Sequence, residues 1–168
     1  MKRRTTLILV LLITLLLVSC RGGSNVPDAD WTLTVSGSGV DSELTLSYQE
    51  LADMEQTELT DVLMRKSRGE DQMTSWAGVP VDTILDQAGV HDDASTVTLI
   101  AADGYAIEGT LADLDGAIVA LKGAHPDTGE ITWLVELPDA ADQGAIRLIA
   151  PDKPANFWAR QLVEIVIE

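Results

Sequence analysis

The chain has 168 residues, a formal charge of −16 from 27 acidic against 11 basic side chains, and one cysteine. So large an acidic excess repels a phosphate backbone and excludes nucleic acid as a partner. A single cysteine excludes an internal disulfide, a CxxC redox pair and a thiolate cluster for zinc or iron–sulfur.

At the N-terminus, Lys2, Arg3 and Arg4 precede the apolar run "TLILVLLITLLLV" (6–18). That run falls short of the roughly 20 apolar residues that span a bilayer and has signal-peptide length. Leu17-Val18-Ser19-Cys20 resembles the lipobox of bacterial lipoproteins. The resemblance implies a signal peptide over 1–19, diacylglycerol on the Cys20 sulfur, and an extracytoplasmic position on the bacterial cell envelope. A plain secretory signal with a chance cysteine, or an uncleaved anchor, is the alternative. Loss of Lys2, Arg3 and Arg4 takes the formal charge from −16 to −19. "RGGSNVPDAD" (21–30) has tether composition, so 20–30 is expected to be a lipidated, flexible N-terminus. Residues 31–168 are long enough for one domain with a real core.

"WTLTVSG" (31–37) alternates like a half-buried strand. "ELTLSYQELADM" (43–54) predicts a strand and then a helix whose capping box is Ser47 and Glu50. "TELTDVLM" (57–64) predicts a strand running into a basic loop. Pro80 opens a helix with Val81, Ile84, Leu85 and Ala88 on one face, and Gly89 stops it. "STVTLIAADGYAIEG" (95–109) predicts a hairpin turning at Asp103-Gly104. A short capped helix (110–116) follows, then strands over 117–123, 131–137 and 145–151, with loops at 124–130 and 138–144. "FWARQLVEIVIE" (157–168) predicts a helical turn and a last strand. Many strands and short, scattered helices predict an α+β domain with mixed or antiparallel sheet.

The basic loop "MRKSRGED" (64–71) gathers Arg65, Lys66, Ser67 and Arg68. Backbone amides, a hydroxyl and positive charge together make an anion cradle, but the same residues suit a solvated turn pairing with Glu70 and Asp71. If the strand alternation continues, Arg65 and Ser67 face one way and Lys66 and Arg68 the other, so one pocket cannot take all three bases. Trp76 and Trp158 are core or pocket-wall residues. Arg147 lies in an apolar strand and must find a partner or reach water. His91 and His125 are the only histidines, and no Ser-His-Asp arrangement, GxSxG or P-loop is present.

Four segments in order carry a family resemblance: "WAGVPVDTILDQAGV" (76–90), "VTLIAADGYAIEGTLADL" (97–114), "AIVAL" (117–121) and "IRLIAPDKPANFWARQLVEIVI" (146–167). Together with "LTVSG" (33–37) and "LSYQEL" (46–51), they resemble the molybdopterin-binding domain of the sulfite oxidase family, over about residues 31–168. In catalytic members a cysteine on or just after the strand before the Trp-x-Gly-Val-Pro turn binds molybdenum. Here that region, "TELTDVLMRKSRGED" (57–71), has no cysteine, and its Met64 thioether is a poor ligand for a hard, high-valent metal. The resemblance therefore implies the fold and the pocket, without a metal ligand and with no cofactor expected. Molybdopterin held without a protein thiolate is the alternative.

The implied pocket lies between the 64–80 segment, the Asp103–Tyr105 hairpin and the segment after Pro151. Its candidate residues are Arg65, Lys66, Ser67, Arg68, Trp76, Tyr105, Arg147 and Lys153, with Asn156 and Arg160 close by in sequence. The expected function is a lipid-anchored binding module for a small anion or an extracytoplasmic protein partner. A molybdopterin-dependent oxidoreductase or redox-complex subunit is the second reading. A β-grasp-like export module is a third, because "GVPVDTILDQAGV" (78–90) suits that signature also.

Overall fold

A computed structural model describes residues 26–168 of the chain. The expected signal peptide and Cys20 lie outside the described residues. Part of the expected tether does not hang free: Val26 and Ala29 pack against the core, and Gln49 donates to the Pro27 carbonyl at 3.1 Å.

The described residues form ten strands and three short α-helices. β1 (Thr32–Ser36) and β2 (Leu44–Ser47) form a hairpin, and α1 (Tyr48–Asp53) follows. Ser47 and Glu50 close the expected capping box at its N-terminus. β3 (Thr57–Met64) turns back into β4 (Gln72–Pro80), which feeds α2 (Val81–Ala88). Gly89 ends α2 in the left-handed conformation at φ 70°, which glycine adopts at no steric cost. β5 (Thr96–Ala101), β6 (Ala106–Thr110) and a 3₁₀ turn (Leu111–Leu114) precede β7 (Ile118–Ala124). β8 (Ile131–Trp133), α3 (Ala140–Gln143), β9 (Arg147–Ile149) and β10 (Leu162–Ile167) complete the chain.

Two sheets result. The first has the order β2-β1-β10-β5-β6, with β1 and β10 parallel and the other pairs antiparallel. The second has the order β3-β4-β7-β8, and β9 also pairs with β7. Inward side chains of both sheets share one apolar cluster that includes Leu33, Leu99, Ile165, Val119, Leu121 and Leu148. This is the expected α+β class with mixed sheet and short peripheral helices.

Three local expectations are corrected. The stretch after the basic loop is not a turn but β4, the strand between β3 and β7. The expected strand over 131–137 stops at Trp133 and continues as a 3₁₀ turn. The acidic loop over 138–144 contains α3.

Gly78 shows why a glycine sits in β4. At a register shift between Ala77 and Gly78, the strand runs so close to β7 that a Cβ would stand 2.1 Å from the Val119 carbonyl oxygen. Gly123, opposite Trp76 in β7, leaves room for the indole ring, which would lie 2.9 Å from a Cβ there. These two glycines let the tryptophan lie against the sheet beside the cleft described next.

Candidate functional site

A cleft of about 400 Å³ opens where the second sheet meets the loops around it. β3 and β4 supply Met64 and Trp76, and the turn between them supplies Lys66. The β7–β8 loop contributes His125, α3 contributes Gln143, β9 contributes Arg147, and the segment before β10 contributes Arg160. Backbone bonds fix these pieces to one another. Ala155 N–H donates to the Arg65 carbonyl at 2.8 Å, and Leu148 N–H donates to the Ala159 carbonyl at 2.8 Å.

Arg147 is the unusual member. It sits in β9 between Ile146 and Leu148, both fully buried, and is itself 3% exposed. Nη1 donates to Gln143 Oε1 at 2.7 Å, while Nε is buried without any partner. The Gln143 amide is oriented from behind, because its Nε2 donates to Asp139 Oδ2 at 2.6 Å. Its Oε1 must therefore face the arginine. The Trp76 and Trp158 ring centroids lie 5.0 and 5.9 Å from the guanidinium carbon, and the two rings meet edge to face at 6.4 Å. Trp158 is held by Nε1 donating to the Ala150 carbonyl at 2.7 Å.

Burial pulls the Arg147 pKa down to about 10. Arg160 adds to the fall, and Asp139 opposes it. Even so, the guanidinium is charged at neutral pH. No carboxylate bonds it, and its nearest influential cation repels it. A buried cation left with an unfilled donor is an electrostatic demand for an anion. Arg160 and Lys66 form no salt bridge with a described residue, so the cleft carries three cations in a body that is otherwise strongly acidic.

The same cleft offers little to a metal. Its soft donors are the Met64 thioether and the His125 ring, whose Nδ1 already accepts from the Asp127 N–H at 3.2 Å. Among the described residues no group of three or more His, Cys, Asp or Glu side chains is placed to hold a metal ion.

The expected pocket divides. Of its eight candidates, Lys66, Trp76 and Arg147 line the cationic cleft. Arg65, Ser67 and Arg68 are exposed on the turn and do not line it, as the strand alternation requires for Arg65 and Ser67. The expected pairing of the loop with Glu70 and Asp71 is not an ion pair. Lys66 instead uses its backbone N–H on Asp71 Oδ1 at 3.0 Å and its Nζ on Gln72 Oε1 at 3.1 Å.

Lys153 is turned away into a salt bridge with Asp113, whose carboxyl also accepts from Thr110. That set holds the Asp113 pKa well below the usual carboxylate range, first through Lys153 and then through Thr110. Tyr105 is 61% exposed and lines a second cleft of about 300 Å³, together with Asn156, Trp158 and Gln161. Arg160 and Trp158 stand near the divide, and Arg160 lines both clefts. Gln143, Asp139 and His125 were not anticipated as site residues. The spacing of Asp139, Gln143 and Arg147 gives no helical signal, because α3 spans only Ala140–Gln143 and Arg147 stands in a strand.

The chain resembles solved proteins at the level of fold. The sulfane dehydrogenase SoxCD from Paracoccus pantotrophus superposes with a TM-score of 0.67 at 17% identity. The match covers 84% of this chain and 39% of that one, so the chain spans about two-fifths of the longer protein. No curated protein matches the sequence. The two-sheet topology and the order of the sequence motifs agree with the sulfite oxidase-like expectation rather than the β-grasp-like one. Residues 23–125 match the model of the oxidoreductase molybdopterin binding domain, and the chain belongs to that family.

Proposed function

We propose that the chain is a lipid-anchored binding module outside the cytoplasm whose cleft takes a small anionic ligand. The observation that carries the anion is Arg147, which is ionised, buried, unpaired with any carboxylate and left with a free Nε–H. An oxyanion or carboxylate there would accept from the guanidinium while Arg160 and Lys66 add charge from the rim. The two tryptophans packed against it exclude water and strengthen that attraction. An acidic side chain of an extracytoplasmic protein could enter the same donor set. The anchor rests on the lipobox resemblance and is tested by lipid labelling of the intact chain. Labelling should vanish in Cys20→Ser.

The ligand reading is tested by melting the purified protein against inorganic phosphate and molybdate. A rise in Tm with either anion, absent in Arg147→Met, is expected. No response to any oxyanion would remove the reading.

The family itself favours a second reading, a molybdopterin-dependent oxidoreductase or redox-complex subunit. The residues present do not fit ligation of the metal, because the cleft holds one thioether and one ring nitrogen and no thiolate. The cofactor's phosphate would then be the part held, by Arg147, Arg160 and Lys66. Stoichiometric molybdenum and pterin in protein purified from a host that makes the cofactor would favour this reading over the first.

A further inference from the structure

β4 pairs with β7 only from Trp76 to Pro80. The distal part of the β3–β4 hairpin, about residues 61–75, is therefore a two-stranded ribbon that extends beyond the sheet. Among the described residues, three large apolar side chains are exposed, and two of them, Leu63 (41%) and Met73 (55%), are here. They are direct cross-strand partners, so their side chains share one face of the ribbon. Arg65, two residues past Leu63, follows the same parity if the strand continues, and Arg68 stands at the turn. Neither Arg65, Lys66 nor Arg68 forms an ion pair with a described residue, although Glu70 and Asp71 are adjacent in sequence.

We propose that this ribbon is a membrane-contact arm: Leu63 and Met73 enter the interface of the bilayer to which the chain is anchored, and Arg65 and Arg68 rest on its anionic head groups. The inference rests on the anchoring reading above. An apolar pair flanked by unpaired cations is the combination that binds an anionic interface. The rest of the body is acidic, so head groups repel it, and the tip from Arg65 to Asp71, with three bases against two acids, is the approach they oppose least. The five residues between Cys20 and Val26 keep the domain at high local concentration beside the surface, so a weak contact is enough. The arm's inner face carries Met64 and Lys66, so the cationic cleft would open close to the membrane surface.

The test uses the full chain, purified with its anchor and reconstituted in vesicles of phosphatidylcholine alone or with phosphatidylglycerol. Cys20 is the only native cysteine, so in the lipidated protein an environment-sensitive dye can be attached singly through Met73→Cys. A second protein carries the dye through Asp86→Cys, exposed on α2 beyond the opposite end of β4. Flotation with the vesicles first reports the anchor. The expected result is a blue shift of the dye at position 73 on phosphatidylglycerol vesicles, lost in high salt and in Arg65→Glu with Arg68→Glu. The dye at position 86 should show no shift. Protein that floats but gives the same emission from position 73 on both vesicle types overturns the arm and leaves the anchor standing, as it would if the arm met an acidic protein instead. Protein that does not float overturns both.

Discussion

Replacing Arg147 by methionine separates a structural arginine from a ligand-binding one. The side chain is buried, and its pKa falls from 12.5 to about 10. At about 1.4 kcal/mol per pH unit, the free protein is strained by roughly 3 kcal/mol in keeping this charge. Methionine fills similar space and removes that cost. Against the gain stand the bond to Gln143 Oε1, worth about 2 kcal/mol, and the two ring contacts, worth about 1 kcal/mol together. The opposing effects nearly cancel, so Arg147→Met should change unfolding stability by no more than about 1 kcal/mol in urea titrations. The anion response should behave differently. A ligand at about a hundred times its Kd stabilises the folded state by about 2.7 kcal/mol, or roughly 8 °C in Tm for a chain of this size. That rise should disappear in Arg147→Met. A variant that loses about 3 kcal/mol or more while its Tm still climbs with phosphate or molybdate would refute the reasoning, because the arginine would then be holding the fold and not the ligand.

Lys66 lines the cleft and Arg68 does not, so Lys66→Ala should weaken the anion response several-fold and Arg68→Ala should leave it intact, with either variant within about 0.5 kcal/mol of the parent in stability. Gly78→Ala should cost about 3 kcal/mol or prevent folding, since the new Cβ meets the β7 backbone and no side-chain rotation relieves it; circular dichroism melts would show this directly. The Asp113 carboxyl has its pKa depressed to about 2 by Lys153 and Thr110. Its contribution to stability is therefore full above the ordinary carboxylate pKa of about 4 and is lost as the pH falls through about 2. The Tm difference between the parent and Asp113→Asn should be constant from neutral pH down to about pH 5 and should close toward pH 2.

The sequence made most strands legible because their inner and outer residues alternate, as in Thr32–Ser36 and Thr96–Ala101. β4 escaped for a physical reason. Its second half runs Trp76, Ala77, Gly78, Val79 without a break in burial, because both of its faces are covered, and glycine and proline there imitate a turn. Strand parity foretold that the basic residues could not all enter one pocket, and Lys66 alone does. Arg147 was recognisable as an arginine in need of a partner. That its partner is a glutamine, with the aspartate one step further back, depends on α3 folding under β9, and a short helix in an acidic loop gives little pattern to read. Tyr105 and Lys153 were placed near the cleft by resemblance to a family, and resemblance fixes a segment more firmly than the direction of a side chain.

The parallel pairing of β1 with β10 has a consequence for how the chain acquires its structure. β10 lies at the middle of the first sheet, between β1 and β5, and is contributed by residues 162–167. β1 is contributed by residues 32–36, so the sheet's central contact joins segments more than a hundred residues apart. A ribosome or a translocation pore that has released only the first hundred residues has released a sheet with its centre missing. Folding of that half must wait for residue 167, and contacts of such long range form slowly. The chain should remain threadable for as long as it is being made.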